Sequence, residues 1–344
     1  MTVIENLVAI SRKYGADARY VIAGGGNTSY KDAEKLWVKA SGHALATIDE
    51  DGFAVLDRSK LNPMGEKAYS ADVAAREAQV KEDLAAACLT QGRRPSVETS
   101  LHNCMGFAYV VHLHPTLVNG LMCSVKAAET CAELFPDALY IEYTDPGYTL
   151  FKKVYDRIQA WKATRGSEPQ VIFLQNHGVF VGADSTEEID RIYGGIMDRL
   201  EARVKPVPDG VGEKVPVEVT EILPAIRQIL SRGGRGLKTL QVTRNALVDR
   251  FLENPEPVLL PFTPDIIVYC KSEYVVLDSE DLVKEAEEKI EAYVARRGHT
   301  PKVLLVKGIG LVAVGDHAKN AGIITEVFLD AMKVAFYAGS FGGE

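Results

Sequence analysis

The sequence predicts an α/β fold, with a larger first domain and a smaller α/β extension behind it. Two patterns carry that expectation. Short apolar runs of strand length alternate with amphipathic stretches of helical spacing up to Arg203. Lys205 to Pro216 then breaks the rhythm with Pro206, Pro208, Gly210, Gly212 and Pro216, which reads as a linker. The division expected is 1–204, a linker over 205–217, and 218–344.

In order along the chain, Ile4, Leu7, Val8 and Ile10 recur at near-helical spacing, so Val3 to Tyr14 reads as a helix stopped by Gly15. Tyr20-Val21-Ile22-Ala23 is expected as a short strand, running into Gly24-Gly25-Gly26-Asn27-Thr28-Ser29. Leu36 to Ala40 is a second strand, closed by Ser41-Gly42. Ala71 to Leu89, alanine-rich with interspersed charge, is helical. Ser96 is an N-cap, with Glu98 in the first turn of its helix. Ala108 to His114 is a strand, followed by a helix from about Thr116. Tyr140 to Tyr143 is a strand turning at Asp145-Pro146-Gly147. Val171 to Leu174 and Val179 to Val181 are strands flanking Asn176-His177-Gly178, and Thr186 to Arg203 is a helix.

The tail carries a faint echo of the first domain. Lys302 to Gly315 resembles Gln170 to Gly182, with a long helix after each, and Ile309 stands where His177 stands. Pro264 to Lys271 has the texture of Phe107 to His114, which would put Tyr269 and Lys271 in the places of the two histidines. The tail is thus expected to be a degenerate partial repeat.

A chain of 344 residues can bury a sizeable core, and 47% hydrophobic with 25% charged residues is the make-up of a soluble globular protein. The net charge of -8 argues against sequence-independent nucleic-acid binding. No apolar run reaches membrane-span length, and Met1-Thr2-Val3-Ile4-Glu5 lacks a secretory pattern. The five cysteines are odd in number and show no CxxC spacing, as reduced thiols of a cytoplasmic protein would. A cytoplasmic location with no nucleic-acid or membrane partner is expected.

The chemistry-bearing feature is His112-Leu113-His114-Pro115. Residues i and i+2 of a strand share a face, so the two imidazoles project side by side, a poor filling for a core and a good grip on a divalent metal. His177, at a turn between two apolar strands, is the third candidate ligand. A lone histidine is more often a hydrogen-bonded core residue, but a strand pair plus a turn histidine favours a metal. Glu98 is the candidate acid/base, the bland alternative being a capping carboxylate. His102 shares its helix face and reads as a supporting partner rather than a ligand. Gly24 to Ser29 is a candidate phosphate cradle: Gly26 lets backbone N–H groups approach an anion, and Asn27, Thr28 and Ser29 add side-chain donors. It is not GxGxxG, and a strand rather than a helix comes next, so a dinucleotide site is not expected. Ser41 and Gly42 offer donors beside it. Tyr140, Tyr143 and Tyr148 surround the 145–147 turn, usually a packing arrangement.

In order, Gly26-Asn27-x-Ser29, Ser41-Gly42, Pro95-Ser96-x-Glu98-x-x-x-His102, His112-x-His114-Pro115 and Asn176-His177-Gly178 resemble the class II aldolase/adducin family. The likeness covers roughly Met1 to Arg203. Within the family, Gly24 to Ser29, Pro95 to His102 and Thr144 to Gly147 are most similar to the aldolase part of bifunctional rhamnulose-1-phosphate aldolase/alcohol dehydrogenases. Pro264 to Phe336 is similar to the segment behind the aldolase motifs in those proteins.

The resemblance implies a three-layer α/β/α fold around a mostly antiparallel sheet, and a homo-oligomer, a tetramer above all. It makes His112, His114 and His177 ligands of Zn2+ or another divalent metal and Glu98 the catalytic carboxylate. Asn27, Ser29, Ser41 and Gly42 become phosphate contacts, with Ser96 beside them. The substrate implied is a ketose 1-phosphate, cleaved to dihydroxyacetone phosphate and a small aldehyde such as lactaldehyde. Epimerisation, dehydration and a non-catalytic adducin-like module are the competing readings. Two departures stand out. Val97 replaces a serine that smaller members carry, and no dehydrogenase domain follows Glu344, so the aldehyde is expected to pass to another protein.

Overall fold

The computed structural model describes residues 2–212 and 214–343. They form two compact units, Met1–Met122 with Lys126–Arg203, and Cys123–Val125 with Val204–Glu344. In the first unit α1 (Val3–Gly15) precedes β1 (Asn27–Lys31), β2 (Lys35–Lys39), β3 (Phe53–Asp57), α2 (Arg58–Leu61), α3 (Val73–Ala87) and α4 (Thr99–Cys104). Then come β4 (Tyr109–Leu113), α5 (Thr116–Met122), α6 (Ala127–Leu134), β5 (Leu139–Ile141), α7 (Tyr148–Arg165), β6 (Val171–Leu174), β7 (Gly178–Ala183) and α8 (Thr186–Glu201). The sheet runs β3-β2-β1-β4-β7-β6-β5. Every neighbouring pair is antiparallel except β5 with β6, which α7 joins as a crossover.

Helices cover both faces of this sheet. Leu36, Val38, Val110, Ile172, Leu174 and Phe180 pack on one side with Leu101 of α4, Val80 of α3 and Phe151, Val154 and Ile158 of α7. On the other side, Thr28 of β1 meets Ser11 of α1 at 2.6 Å, and the Tyr193 hydroxyl of α8 donates to the Val111 carbonyl at 3.0 Å. The strand period of two therefore decides which side chains face α4: Asn27 and Ser29 of β1, Val110 and His112 of β4.

Three local expectations give way. Tyr20 to Ala23 is not a strand: Tyr20 and Val21 N–H donate back to Asp17, and Ala23 is left-handed at φ 54°, so this apolar run turns the chain from α1 towards β1. Ser96 is not the N-cap of α4. Glu98 holds that position, and the Ser96 hydroxyl instead accepts the Glu98 N–H at 3.2 Å, one turn of chain earlier. The strand at Tyr140 is shorter than expected, Leu139–Ile141.

In the second unit α9 (Val219–Leu230) leads to β8 (Thr239–Thr243), α10 (Ala246–Glu253), α11 (Pro264–Cys270), β9 (Val275–Leu277), α12 (Leu282–Arg297), β10 (Val303–Val306), β11 (Gly310–Gly315) and α13 (Ala318–Ala338). Its sheet runs β8-β11-β10-β9, again with one parallel pair, β9 with β10. Pro264 to Lys271 is thus mostly a helix, not a strand. Proline at the first helical position and Asp265 in the first turn are helix-start chemistry, which the β-branched run behind them masks. The strand beside β11 is β8, with Thr243 opposite Leu311, just as Leu113 lies opposite Val179. The positions matching His112 and His114 are therefore Val242 and Arg244, not Tyr269 and Lys271. Ile309 does match His177, each following a left-handed residue, Gly308 and Asn176.

Candidate metal centre

β4 supplies His112, and His114 lies just beyond its end. Beside them β6 turns into β7 through Gln175-Asn176-His177. Asn176 sits at φ 57°, in the left-handed region, and the His177 N–H donates to the Leu174 carbonyl at 3.2 Å. This tight turn brings His177 against β4. Gly178 makes the approach possible, since a Cβ there would lie 2.5 Å from the Leu113 carbonyl and 2.8 Å from the His114 ring. One ring nitrogen from each of His112, His114 and His177 lies within 4.8 Å of the others.

The His112 ring is fully buried, stacked on Phe180 at 3.9 Å, and its Nδ1 lies 3.0 Å from the Val179 carbonyl. A carbonyl only accepts, so Nδ1 carries the proton and Nε2 keeps its lone pair. That Nε2 lies 3.0 Å from His114 Nε2 and 3.3 Å from Glu98 Oε1, which is also 3.2 Å from His177 Nε2. Glu98 Oε1 is buried, and no donor meets it with hydrogen-bond geometry. Burial raises the Glu98 carboxyl, but the imidazoles outweigh it and hold the group well below the usual carboxylate range. Burial pushes His112 down to about 4. A buried carboxylate oxygen without a hydrogen-bond donor and ring nitrogens of three histidines thus converge, an arrangement that a divalent cation satisfies. The donor set fits such an ion.

A buried chain of hydrogen bonds fixes Glu98. Asn27 Nδ2 donates to Oε2 at 2.6 Å, Asn27 Oδ1 accepts from His102 Nε2, and His102 Nδ1 meets the Ser29 hydroxyl at 2.7 Å. His102 is fully buried and pushed down to about 3 by that burial, so it is a neutral strut rather than a ligand.

Among the expected phosphate contacts, Ser41 and Gly42 stand beside Ser96, whereas the Asn27 amide is engaged by Glu98 and His102 and Thr28 and Ser29 are turned elsewhere. Thr28 points to α1 from the opposite face, and the Ser29 hydroxyl is buried against His102. Gly26, at φ 70°, runs so close to β4 that a Cβ would lie 2.9 Å from the His112 carbonyl. Ala40 bridges to Pro95 and Ser41 N–H donates to the Arg94 carbonyl at 2.8 Å, which sets Ser41-Gly42 beside Ser96. Tyr143 is exposed with its hydroxyl on Asp145, and Tyr148 packs on Tyr69, so neither is shown to serve this centre.

Lys39 escaped the sequence reading. It is 7% exposed and its pKa is lowered by burial, but it lies opposite Thr28 on the face turned to α1, so it is not shown to serve this centre. A charge inside the apolar run Leu36 to Ala40, just ahead of Ser41-Gly42, was the signal available for it.

Residues 5–190, which hold every side chain of this centre, match the model of the Class II Aldolase and Adducin N-terminal domain. The chain belongs to that family. Its class II aldolase fold also matches the N-terminal class II aldolase domain of a conserved Thermoplasma acidophilum protein. That match has a TM-score of 0.50 and 25% identity, over 58% of this chain and 93% of that one. YgbL of Escherichia coli, described as a candidate aldolase, epimerase or decarboxylase, aligns at a TM-score of 0.42 with 16% identity, covering 58% and 87%. Among curated proteins, the uncharacterized oxidoreductase YuxG of Bacillus subtilis (strain 168) is 24% identical over 394 aligned positions, 98% of this chain. This chain spans 55% of that relative's length. No helix among the described residues is long and apolar enough to cross a membrane.

Proposed function

We propose that the first unit is a zinc-dependent aldolase that reversibly cleaves a ketose 1-phosphate of the rhamnulose-1-phosphate type to dihydroxyacetone phosphate and a short aldehyde. One observation carries the reading: Glu98 Oε1 sits 3.2–3.3 Å from ring nitrogens of two of the three clustered histidines while Asn27 holds its other oxygen. Family membership supports the reaction class, and retention of all three histidines speaks against a purely adducin-like module. His112, His114 and His177 would hold a divalent cation, which would supply Lewis acidity to the reaction. The chain's own residues do the rest. In the addition direction ionised Glu98 removes a proton from the hydroxymethyl carbon of dihydroxyacetone phosphate, and in cleavage it returns that proton. The Asn27 amide keeps Oε2 occupied, so Oε1 alone faces the reacting carbon. Gly26, Ser41, Gly42 and Ser96 take the phosphate through backbone N–H groups and hydroxyls. A longer relative named as an oxidoreductase is in keeping with an aldehyde product.

Metal analysis of the purified protein, followed by a panel of ketose 1-phosphates assayed for dihydroxyacetone phosphate release, tests the proposal. About one divalent ion per chain is expected. Glu98→Gln should keep it while turnover falls by about 10²- to 10⁴-fold. Unchanged turnover would remove Glu98 from the mechanism. Inversion of a sugar phosphate without release would reassign the centre to an epimerase.

A further inference from the structure

At the end of β6 away from the His177 turn, α7, α8 and the loop 135–138 line a cavity of about 640 Å³ that the proposed reaction does not use. Its size is that of a small-molecule site. Its floor is apolar, with Val171, Ile192 and Ile196, and its walls carry Arg165, Arg191 and Arg199. Two of these guanidinium groups are braced on aromatic rings. Arg165 lies 4.5 Å from the Trp161 centroid, and Arg199 lies 5.7 Å from that of Phe135 while donating to the Leu134 carbonyl at 2.9 Å. Such stacking pre-orients a guanidinium, and Arg165 also donates to Asp137 and to the Pro136 carbonyl, each at only 3.4 Å.

Two of the three arginines are paired with carboxylates in exposed pairs that solvent weakens, and Arg199 alone of the three has no acidic partner among the described residues. Glu168 is already held by Lys162 at 2.6 Å and by the Gly106 N–H at 2.5 Å. Asp137 lies 3.4 Å from Arg165, and Glu188, on α8, lies 3.1 Å from Arg191. Arg191 and Arg199 stand two helical turns apart on one face of α8, and Gly195 lies midway between them. A glycine inside a helix is destabilising, and here a Cβ on Gly194 or Gly195 would meet no atom within 4 Å. Packing does not require these glycines. What Gly195 provides is room between the two arginines, over the apolar floor.

We propose that this cavity is a second ligand site, taking a phosphate monoester carried on a flat apolar body. The arginine edges would take the phosphate oxygens as charge-assisted, bidentate contacts, and the gap over Gly195 would seat the body.

The test is calorimetric titration of the full chain with phenyl phosphate, in the His112→Ala/His114→Ala background so that the metal centre cannot contribute. One equivalent should bind, and inorganic phosphate should bind at least tenfold more weakly. Gly195→Leu, which fills the gap and should raise helix stability, and Arg199→Gln should each weaken phenyl phosphate at least tenfold. Melting curves check that both variants are folded. No binding in that background, or binding indifferent to Gly195→Leu, would overturn the site. Equal affinity for inorganic phosphate would overturn the class of ligand. Failure of the aldolase panel would leave these outcomes unchanged.

Discussion

Strand for strand, the two units share a scaffold and differ in what they hang on it. β4-β7-β6-β5 in the first is matched by β8-β11-β10-β9 in the second, each with a helix before and after its last hairpin. The hairpin turns agree in detail, with left-handed Asn176 at φ 57° in one and Gly308 at φ 77° in the other. A Cβ on Gly178 or on Gly310 would meet the carbonyl of the neighbouring strand at the same 2.5 Å. Yet His112, His114 and His177 become Val242, Arg244 and Ile309. Arg244 binds Asp249 Oδ1 through Nε at 2.8 Å and donates to the Gly308 carbonyl, so a guanidinium ties the turn to β8 where the first unit gathers three imidazoles. Among the described residues, the sheet of the second unit has four strands, with none in the places of β1, β2 and β3. The shared turn places a side chain beside a neighbouring strand; the residue types decide whether that place holds a metal or an ion pair.

The sharpest way to break this contrast is by metal content. His112→Ala with His114→Ala should lower bound metal from about one per chain to none, at least a hundredfold in affinity, whereas Arg244→Ala should leave it unchanged. Elemental analysis reads both, and metal lost on Arg244→Ala would mean that the halves are not chemically distinct.

The second effect belongs to β1, a strand without a counterpart among the described residues of the second unit. Lys31 is buried with its ammonium on the His102 carbonyl at 2.9 Å, and burial lowers its pKa from 10.5 to about 7. Below pH 7 both folded and unfolded chains are protonated there and the full penalty applies. Between pH 7 and 10.5 the unfolded chain binds more protons, so the penalty fades as pH rises. Lys31→Met should therefore stabilise most below pH 7, by at most roughly 5 kcal/mol, with the gain vanishing towards pH 10.5. Denaturant melts across that range check it; a gain that grows with pH would contradict the assignment.

Arg244→Ala should cost about 2 kcal/mol, since it removes the ion pair with Asp249 and the hydrogen bond that ties the turn to β8. A loss below about 0.5 kcal/mol in chemical denaturation would deny the clip its role. The smallest effect is at the turns. Asn176→Gly and Gly308→Asn should each change stability by less than about 1 kcal/mol, because both residue types tolerate the left-handed region. Valine at either place should lower the melting temperature clearly, and an unchanged one would show that the turns are not held alike.

Much of the metal centre was legible because its geometry is local. A histidine pair at strand spacing and a turn histidine between apolar runs declare themselves by period alone. What stayed hidden depends on packing. Nothing local shows that Ser29 would be used on His102, or that Thr28 would face α1, until β1 is set beside β4. Pro264 to Cys270 misled because Ile266, Ile267 and Val268 favour a strand, while one proline at the helix start overrode them. The true partner of β11 was missed because β8, Thr239-Leu240-Gln241-Val242-Thr243, is half polar and has little of the apolar texture of β4.

That same strand has a further consequence. β4 is flanked by β1, but β8 ends its sheet, and its five residues hold neither a charge nor a proline. Edges of that kind template the addition of another strand, and natural sheets blunt them with lysine, proline or a bulge. A fragment of residues 218–343 released by proteolysis at the linker would therefore be the aggregation-prone half of the molecule, seeding edge-to-edge association through Thr239–Thr243.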